Sequence, residues 1–198
     1  MKGKHHIILE TSHLKYEFDI RRNITVIRGD SATGKTTLIT ALRDYSRNPQ
    51  NGPVRLQSDV PVLVINDDEL WKDVIRRNSD SVIFIDEEHR FVNTVEFADV
   101  IKGSTNYFVL ITRENLHALP YSINEIYGIR TSGKYNYPEQ IYHELYPLYD
   151  TNYIKSTCRG RVLIVEDSKS GFEFYRQSCS NEVSCISADG NSNIIQVF

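Results

Sequence analysis

Eight consecutive residues constrain this chain more than any others: Gly29, Asp30, Ser31, Ala32, Thr33, Gly34, Lys35 and Thr36, set between a β-like run, Ile24 to Arg28, and a helical pattern opening at Lys35. The spacing G-x-x-x-x-G-K-[ST] would arise by chance about 0.003 times in a chain of this composition. Two glycines let the backbone curl until successive N–H groups point inward, and a helix that begins at Lys35 aims its positive end at the same point. A strand, a glycine-framed bend and a helix in that order make an anion cradle.

The flanking pattern predicts α/β architecture. His6 to Glu10, Leu14 to Ile20 and Ile24 to Arg28 read as strands, the second with Leu14, Tyr16, Phe18 and Ile20 alternating. Lys35 to Tyr45 is helical, and the breaker-dense stretch Arg47 to Pro53 ends it. Strands at Val62 to Ile65, Ser81 to Ile85 and Tyr107 to Ile111 then alternate with helices at Asp67 to Arg76 and across Phe91, Val95, Ala98 and Ile101. Unbroken apolar runs separated by helices predict a mostly parallel sheet flanked by helices, preceded by antiparallel strands. Glu125 to Arg130 and Tyr135 to Tyr146 flank Thr131-Ser-Gly-Lys134, expected to be the turn of a hairpin. Six of the twelve tyrosines (135, 137, 142, 146, 149 and 153) fall in the stretch 135–153. Arg161 to Val165, a helix holding Phe172, Phe174 and Tyr175, and Val183 to Ser187 form a small βαβ-like appendage. The expected divisions are 1–130, a tyrosine-rich connector or hairpin at 131–157, and a partial α/β segment at 158–198.

Val82-Ile-Phe-Ile-Asp86-Glu87 is an apolar strand ending in two acids, 51 positions after Lys35. With the glycine-framed bend, it resembles the P-loop NTPase superfamily, in the subclass with a catalytic glutamate next to the metal aspartate. The resemblance implies that residues Gly29 to Thr37 hold the phosphates of ATP, that Lys35 reaches the β- and γ-phosphates, and that Thr36 and Asp86 hold Mg²⁺. It implies that Glu87 polarises the attacking water, and that Thr112 or Arg113, after the next strand, senses the γ-phosphate. Thr112 and Asn115 also suit a helix N-cap. Arg28, Arg76 and Arg77 are further candidates for a phosphate finger. Glu88 and His89 read as solvated helix-start residues.

No N/T-K-x-D element follows Asp86, which favours ATP over GTP, and no LSGGQ-like segment precedes Val82 as in ABC ATPases. A nucleoside kinase-like enzyme is the alternative, because Asp86-Glu-Glu-His-Arg-Phe91 approximates the D-E-x-x-F box of type II thymidine kinases. A nucleotide-sensing adaptor without turnover is another. Arg161 to Glu166 and Cys185 to Asn193 resemble the front of a Toprim domain, as in ATPase-Toprim proteins of the overcoming-lysogenization-defect type. That resemblance implies a metal-binding role for Glu166 and a phage, mobile-element or defence setting; Asp167 stands where the family has glycine, and no D-x-D follows Asn193. The segment equally resembles a response-regulator receiver, whose opening strand also ends in acids.

Composition narrows the partners. A net charge of −3 on 198 residues gives no support to a broad nucleic-acid-binding face and leaves a local basic patch open. No apolar run approaches 18 residues, so no membrane-spanning helix is expected, and the short run after Lys4 is too brief for a secretion signal. A cytoplasmic address is the expectation. Cys158, Cys179 and Cys185 lack CxxC spacing and read as free thiols. A protein partner or a homo-oligomer is expected, since such sites are often completed by a neighbour's arginine.

Overall fold

The computed structural model describes residues 3–29, 33–68, 70–114, 116–136, 140–149, 161–167, 169–179 and 183–187. It divides the chain into two units, 1–146 and 147–198. The division falls inside the segment expected as a connector or hairpin, 131–157.

The first unit opens with β1 (His5–Glu10), β2 (Leu14–Ile20) and β3 (Ile24–Ile27), followed by α1 (Lys35–Arg47). Next come β4 (Arg55–Ser58), β5 (Val62–Val64), α2 (Trp71–Arg77), β6 (Val82–Ile85), α3 (Val95–Lys102) and β7 (Tyr107–Ile111). The arm β8 (Ile126–Asn136) and β9 (Gln140–Pro147) completes it. Nine strands form one sheet in the order β4-β1-β2-β9-β8-β3-β7-β6-β5. β1 pairs antiparallel with β2 and β4, whereas β2–β9, β8–β3, β3–β7, β7–β6 and β6–β5 are parallel.

This architecture corrects the expected mostly parallel sheet flanked by helices. The sheet is mixed, the antiparallel strands are continuous with the parallel ones, and the whole rolls toward a barrel. Phe18 on β2 meets Phe84 on β6 with ring centroids 6.3 Å apart, and His5 on β1 meets Tyr107 on β7 at 4.4 Å. Those strands are separated by several others in the sheet, so only strong curling brings them together. The core explains the roll. Ile7, Leu9, Phe18 and Ile20 from the antiparallel strands pack with Leu38 and Leu42 of α1 against Phe84 and Val109. The opposite face of β6 and β7 is covered by a helical layer in which Trp71, Phe91 and Phe97 stack edge and face, Phe97 meeting Phe108 of β7. Both faces are buried, one by α1 together with the antiparallel strands and the other by that helical layer.

The hairpin arm also differs from expectation. Arg130 Nε donates to Glu144 at 2.9 Å and Ser132 Oγ to the Tyr142 carbonyl at 3.3 Å. Each step forward on β8 is a step back on β9, so the connection falls at 137–139, outside the described residues, and Thr131 to Lys134 lies within β8. β4 was hidden in the sequence by the breakers before it. Its polar, half-exposed pattern suits an edge strand.

In the second unit, β10 (Arg161–Val165) and β11 (Val183–Ser187) pair in parallel, with α4 (Ser170–Ser178) between them in sequence. Among the described residues no helix is long and apolar enough to cross a membrane.

Candidate functional site

The glycine-framed bend leaves the carboxyl end of β3. Gly29 has φ +146° and Gly34 φ +94°, backbone conformations that residues with a Cβ rarely adopt. Gly34 opens α1: its carbonyl accepts from Leu38 N at 2.9 Å and from the Tyr16 hydroxyl at 3.0 Å. It offers the helix no side-chain cap, and the first turn of α1 carries no acid. The positive end of the helix is thus not neutralised by its own sequence. Lys35 is buried, and its Nζ folds back to donate to the Gly29 carbonyl at 2.5 Å and Thr33 Oγ1 at 3.2 Å. Thr36 and Thr37 are exposed on the first turn; Asp30, Ser31 and Ala32 lie outside the described residues.

Register places the acids on the same edge of the sheet. Ile27 is level with Ile111, and Ile85 with Leu110, so Gly29, Thr112 and Asp86 leave three neighbouring strands on one side. With strands ~4.8 Å apart, β3 and β6 are separated across β7 by about 10 Å. Ligands of open α/β sheets bind at that carboxyl edge. Asp86 is buried; its Oδ1 accepts from Glu87 N at 2.8 Å, and its Oδ2 lies 3.6 Å from Arg43. Arg43 comes from α1 itself and also holds Asn66 at 3.0 Å, which ties the acid to the helix that Lys35 opens. Glu87 is paired with Arg113 at 3.2 Å.

Thr112 is buried at the end of β7. Its N–H donates to the Ile27 carbonyl at 3.2 Å and its Oγ1 accepts from Glu114 N at 3.0 Å, so it shapes a turn; among the described residues no helix opens there, and Thr112 is not the helix N-cap of the alternative reading. Asn115 lies outside the described residues. Glu88 is exposed, but His89 is not a solvated residue: its Nε2 donates to the Ile65 carbonyl at 3.0 Å and its Nδ1 meets Asp68. That imidazole pins the ends of β5 and β6 together. Arg28 donates to the Glu114 carbonyl at 2.8 Å, Arg77 pairs with Asp73, and Arg76 lines a cleft beside α2 and α3, whereas Arg113 lines the cavity with Thr33 to Thr37.

A cavity of about 500 Å³ opens over the bend, lined by Thr33 to Thr37 and Arg113 on one side and by the sheet on the other. A second, of about 280 Å³, holds Asp86, Glu87 and Thr112. A larger, open cleft of about 900 Å³ lies between α2 and α3, beside the amino ends of β6 and β7 and thus at the opposite sheet edge.

Two residues that sequence reading did not single out brace the bend. Burial pushes the Tyr16 phenol up to about 12, although a hydrogen bond with Thr37 pulls the other way. The phenol therefore stays protonated, able to donate to Gly34 while engaging Thr37. His143 stacks on Tyr16 with centroids 4.8 Å apart and planes 16° from parallel. Burial holds its imidazole below the usual histidine range, and its Nδ1 is buried without a hydrogen-bond partner. Tyr16 had the strand alternation of a core residue. Nothing in the sequence signals that β9 inserts beside β2.

In the second unit Glu166 follows β10 as an exposed acid, while Asp167 accepts from Lys169 N at 2.9 Å and Gly171 N at 2.7 Å. Cys179 and Cys185 are free and half-buried; Cys158 lies outside the described residues. Among the described residues no three His, Cys, Asp or Glu side chains group closely enough to hold a metal. No protein-family model matches the chain, and no curated protein or solved structure matches it either.

Proposed function

We propose that the first unit binds ATP with Mg²⁺ at the Gly29 to Thr37 bend and hydrolyses it as a conformational switch. The observation that carries this reading is the Lys35 amine folded onto a bend with two left-handed glycines, on the sheet edge that also presents Asp86 and Glu87. It rests on the local site and its sequence pattern, not on the overall sheet.

The residues present fit the metal. One carboxylate and one hydroxyl, Asp86 and Thr36, suit a hard cation that keeps several waters and takes its remaining oxygens from phosphate. Bound there, Mg²⁺ neutralises charge on the β- and γ-phosphates. Lys35 shifts from Gly29 and Thr33 oxygens to phosphate oxygens, and the α1 amino end adds N–H donors. Glu87, freed from Arg113, orients water and takes its proton as the oxygen bonds to the γ-phosphorus; the bond to the bridging oxygen breaks and ADP departs. Contacts with a protein partner or a second copy then differ between the two nucleotide states.

Phosphate release tests the reading. Lys35→Ala loses binding and turnover together; Glu87→Gln keeps binding and loses turnover. Unchanged turnover in both variants contradicts it. The second reading, a nucleotide sensor without turnover, is favoured by the Glu87–Arg113 pair, which keeps the carboxylate engaged. A rise in Tm with Mg²⁺-ATP and no phosphate over hours selects the sensor.

A further inference from the structure

The wall of the loop cavity facing Lys35 is a stretch of sheet face whose side chains change character in rows. On β2 and β9, Leu14 is level with Ile141 and Tyr16 with His143. The arm carries the rows onto β8. Arg130 meets Glu144 and Ser132 meets Tyr142, which sets Thr131 opposite His143 and Gly133 opposite Ile141. The row Tyr16–His143 lies directly against Gly34: a Cβ built on that glycine would stand 3.1 Å from the Tyr16 hydroxyl and 3.8 Å from the His143 ring. These two rings already stack on each other.

One row farther out, Leu14 and Ile141 present branched aliphatic carbon to the cavity, and Ile141 is 48% exposed. Gly133 continues that row with nothing within 4 Å of the place a side chain would occupy. Two residues along a strand advance about 7 Å. That distance, from the row that braces the phosphate bend to the aliphatic row, is one a ribose 5′-phosphate spans. A cavity of about 500 Å³ has the size of small-molecule sites, which are largely apolar with a few placed polar groups.

We infer that Leu14 and Ile141 seat the base of the nucleotide whose phosphates lie on the Gly29 to Thr37 bend. This rests on the phosphate reading above and adds what that reading lacks, a contact for the heterocycle. The ring is gripped by apolar area rather than by another aromatic ring, because Tyr16 and His143 are engaged with each other. The bend supplies the anion contacts and the rolled sheet supplies the base contact.

Calorimetry on the full chain with Mg²⁺-ATP and with Mg²⁺-tripolyphosphate separates the two. Wild type binds ATP about tenfold or more tighter than tripolyphosphate. Ile141→Ser, at an exposed position that leaves the core intact, removes most of that difference while tripolyphosphate affinity stays the same. If tripolyphosphate binds and ATP is no tighter, or if Ile141→Ser leaves ATP affinity unchanged, the base seat is wrong and the phosphate site stands. If neither ligand binds, the phosphate reading fails and the seat with it.

Discussion

Arg113 Nε stands 3.2 Å from Glu87 Oε2, and the pair bridges two cavities: Arg113 lines the one over the bend, Glu87 the one that holds Asp86. Both side chains are solvent-accessible, so the ion pair contributes little to folding, about 0.2–1 kcal/mol. Arg113→Ala therefore leaves the denaturation midpoint nearly unchanged and weakens Mg²⁺-ATP binding about tenfold, the loss of one charge-assisted contact. Equal affinity in the variant, measured by nucleotide titration, removes Arg113 from the site.

Glycines at 34 and 128 are constrained for different reasons and separate binding from folding. Gly34→Ala forces an L-residue into φ +94° and sets its Cβ 3.1 Å from the Tyr16 hydroxyl. A cost of about 1–2 kcal/mol and loss of nucleotide binding follow together. At Gly128 a Cβ would lie 2.6 Å from the Tyr146 ring, packed across the arm. Gly128→Ala loses about 1–3 kcal/mol in urea unfolding and binds nucleotide as wild type does.

Local pattern was legible in the sequence where one element decides it. The bend before Lys35, the helix it opens, the alternation of Leu14 to Ile20 and the apolar runs ending at Ile85 and Ile111 all lie where periodicity puts them. What covers those runs was not legible. Val82 to Ile85 and Tyr107 to Ile111 are apolar at every position because both faces are buried, and burial by a rolled sheet looks the same in sequence as burial by helices. The arm misled for a related reason. Thr131-Ser-Gly-Lys134 has the composition of a turn, yet cross-strand partners at Arg130 and Ser132 carry the strands past it. Asp86 and Glu87 were legible as acids after a strand, but Arg43, which holds Asp86 from α1, was not, because nothing local distinguishes it from a surface arginine.

Tyr16 gives an alkaline signature. Its folded value, about 12, exceeds the ordinary tyrosine value of 10.0, so above pH 10 the folded chain retains a proton that the unfolded chain has lost. Stability from this group is complete below pH 10 and falls as pH rises toward 12. Ultraviolet titration shows a tyrosine ionising late in wild type, and Tyr16→Phe removes that step and flattens the alkaline fall in Tm. A late step that persists in the variant assigns it elsewhere.

His143 acts at the other end of the scale. Burial lowers its value below 6.5, so on acidification the unfolded chain takes up the proton first. Its contribution is complete above about pH 6.5 and is lost as pH falls through the lower folded value. His143→Phe keeps a ring on Tyr16 and cannot titrate, so its Tm declines less between neutral pH and the onset of carboxylate protonation. Parallel declines in variant and wild type would show that the imidazole is not the acid-sensitive group.

The central claim is that the Lys35 amine and the glycine-framed bend are an anion cradle, and isothermal titration of Mg²⁺-ATP into wild type and Lys35→Met tests it most directly. The account predicts saturable heat at one site per chain in wild type and none in Lys35→Met, with the variant still folded by circular dichroism. No heat from wild type, or the same isotherm from both proteins, would contradict it.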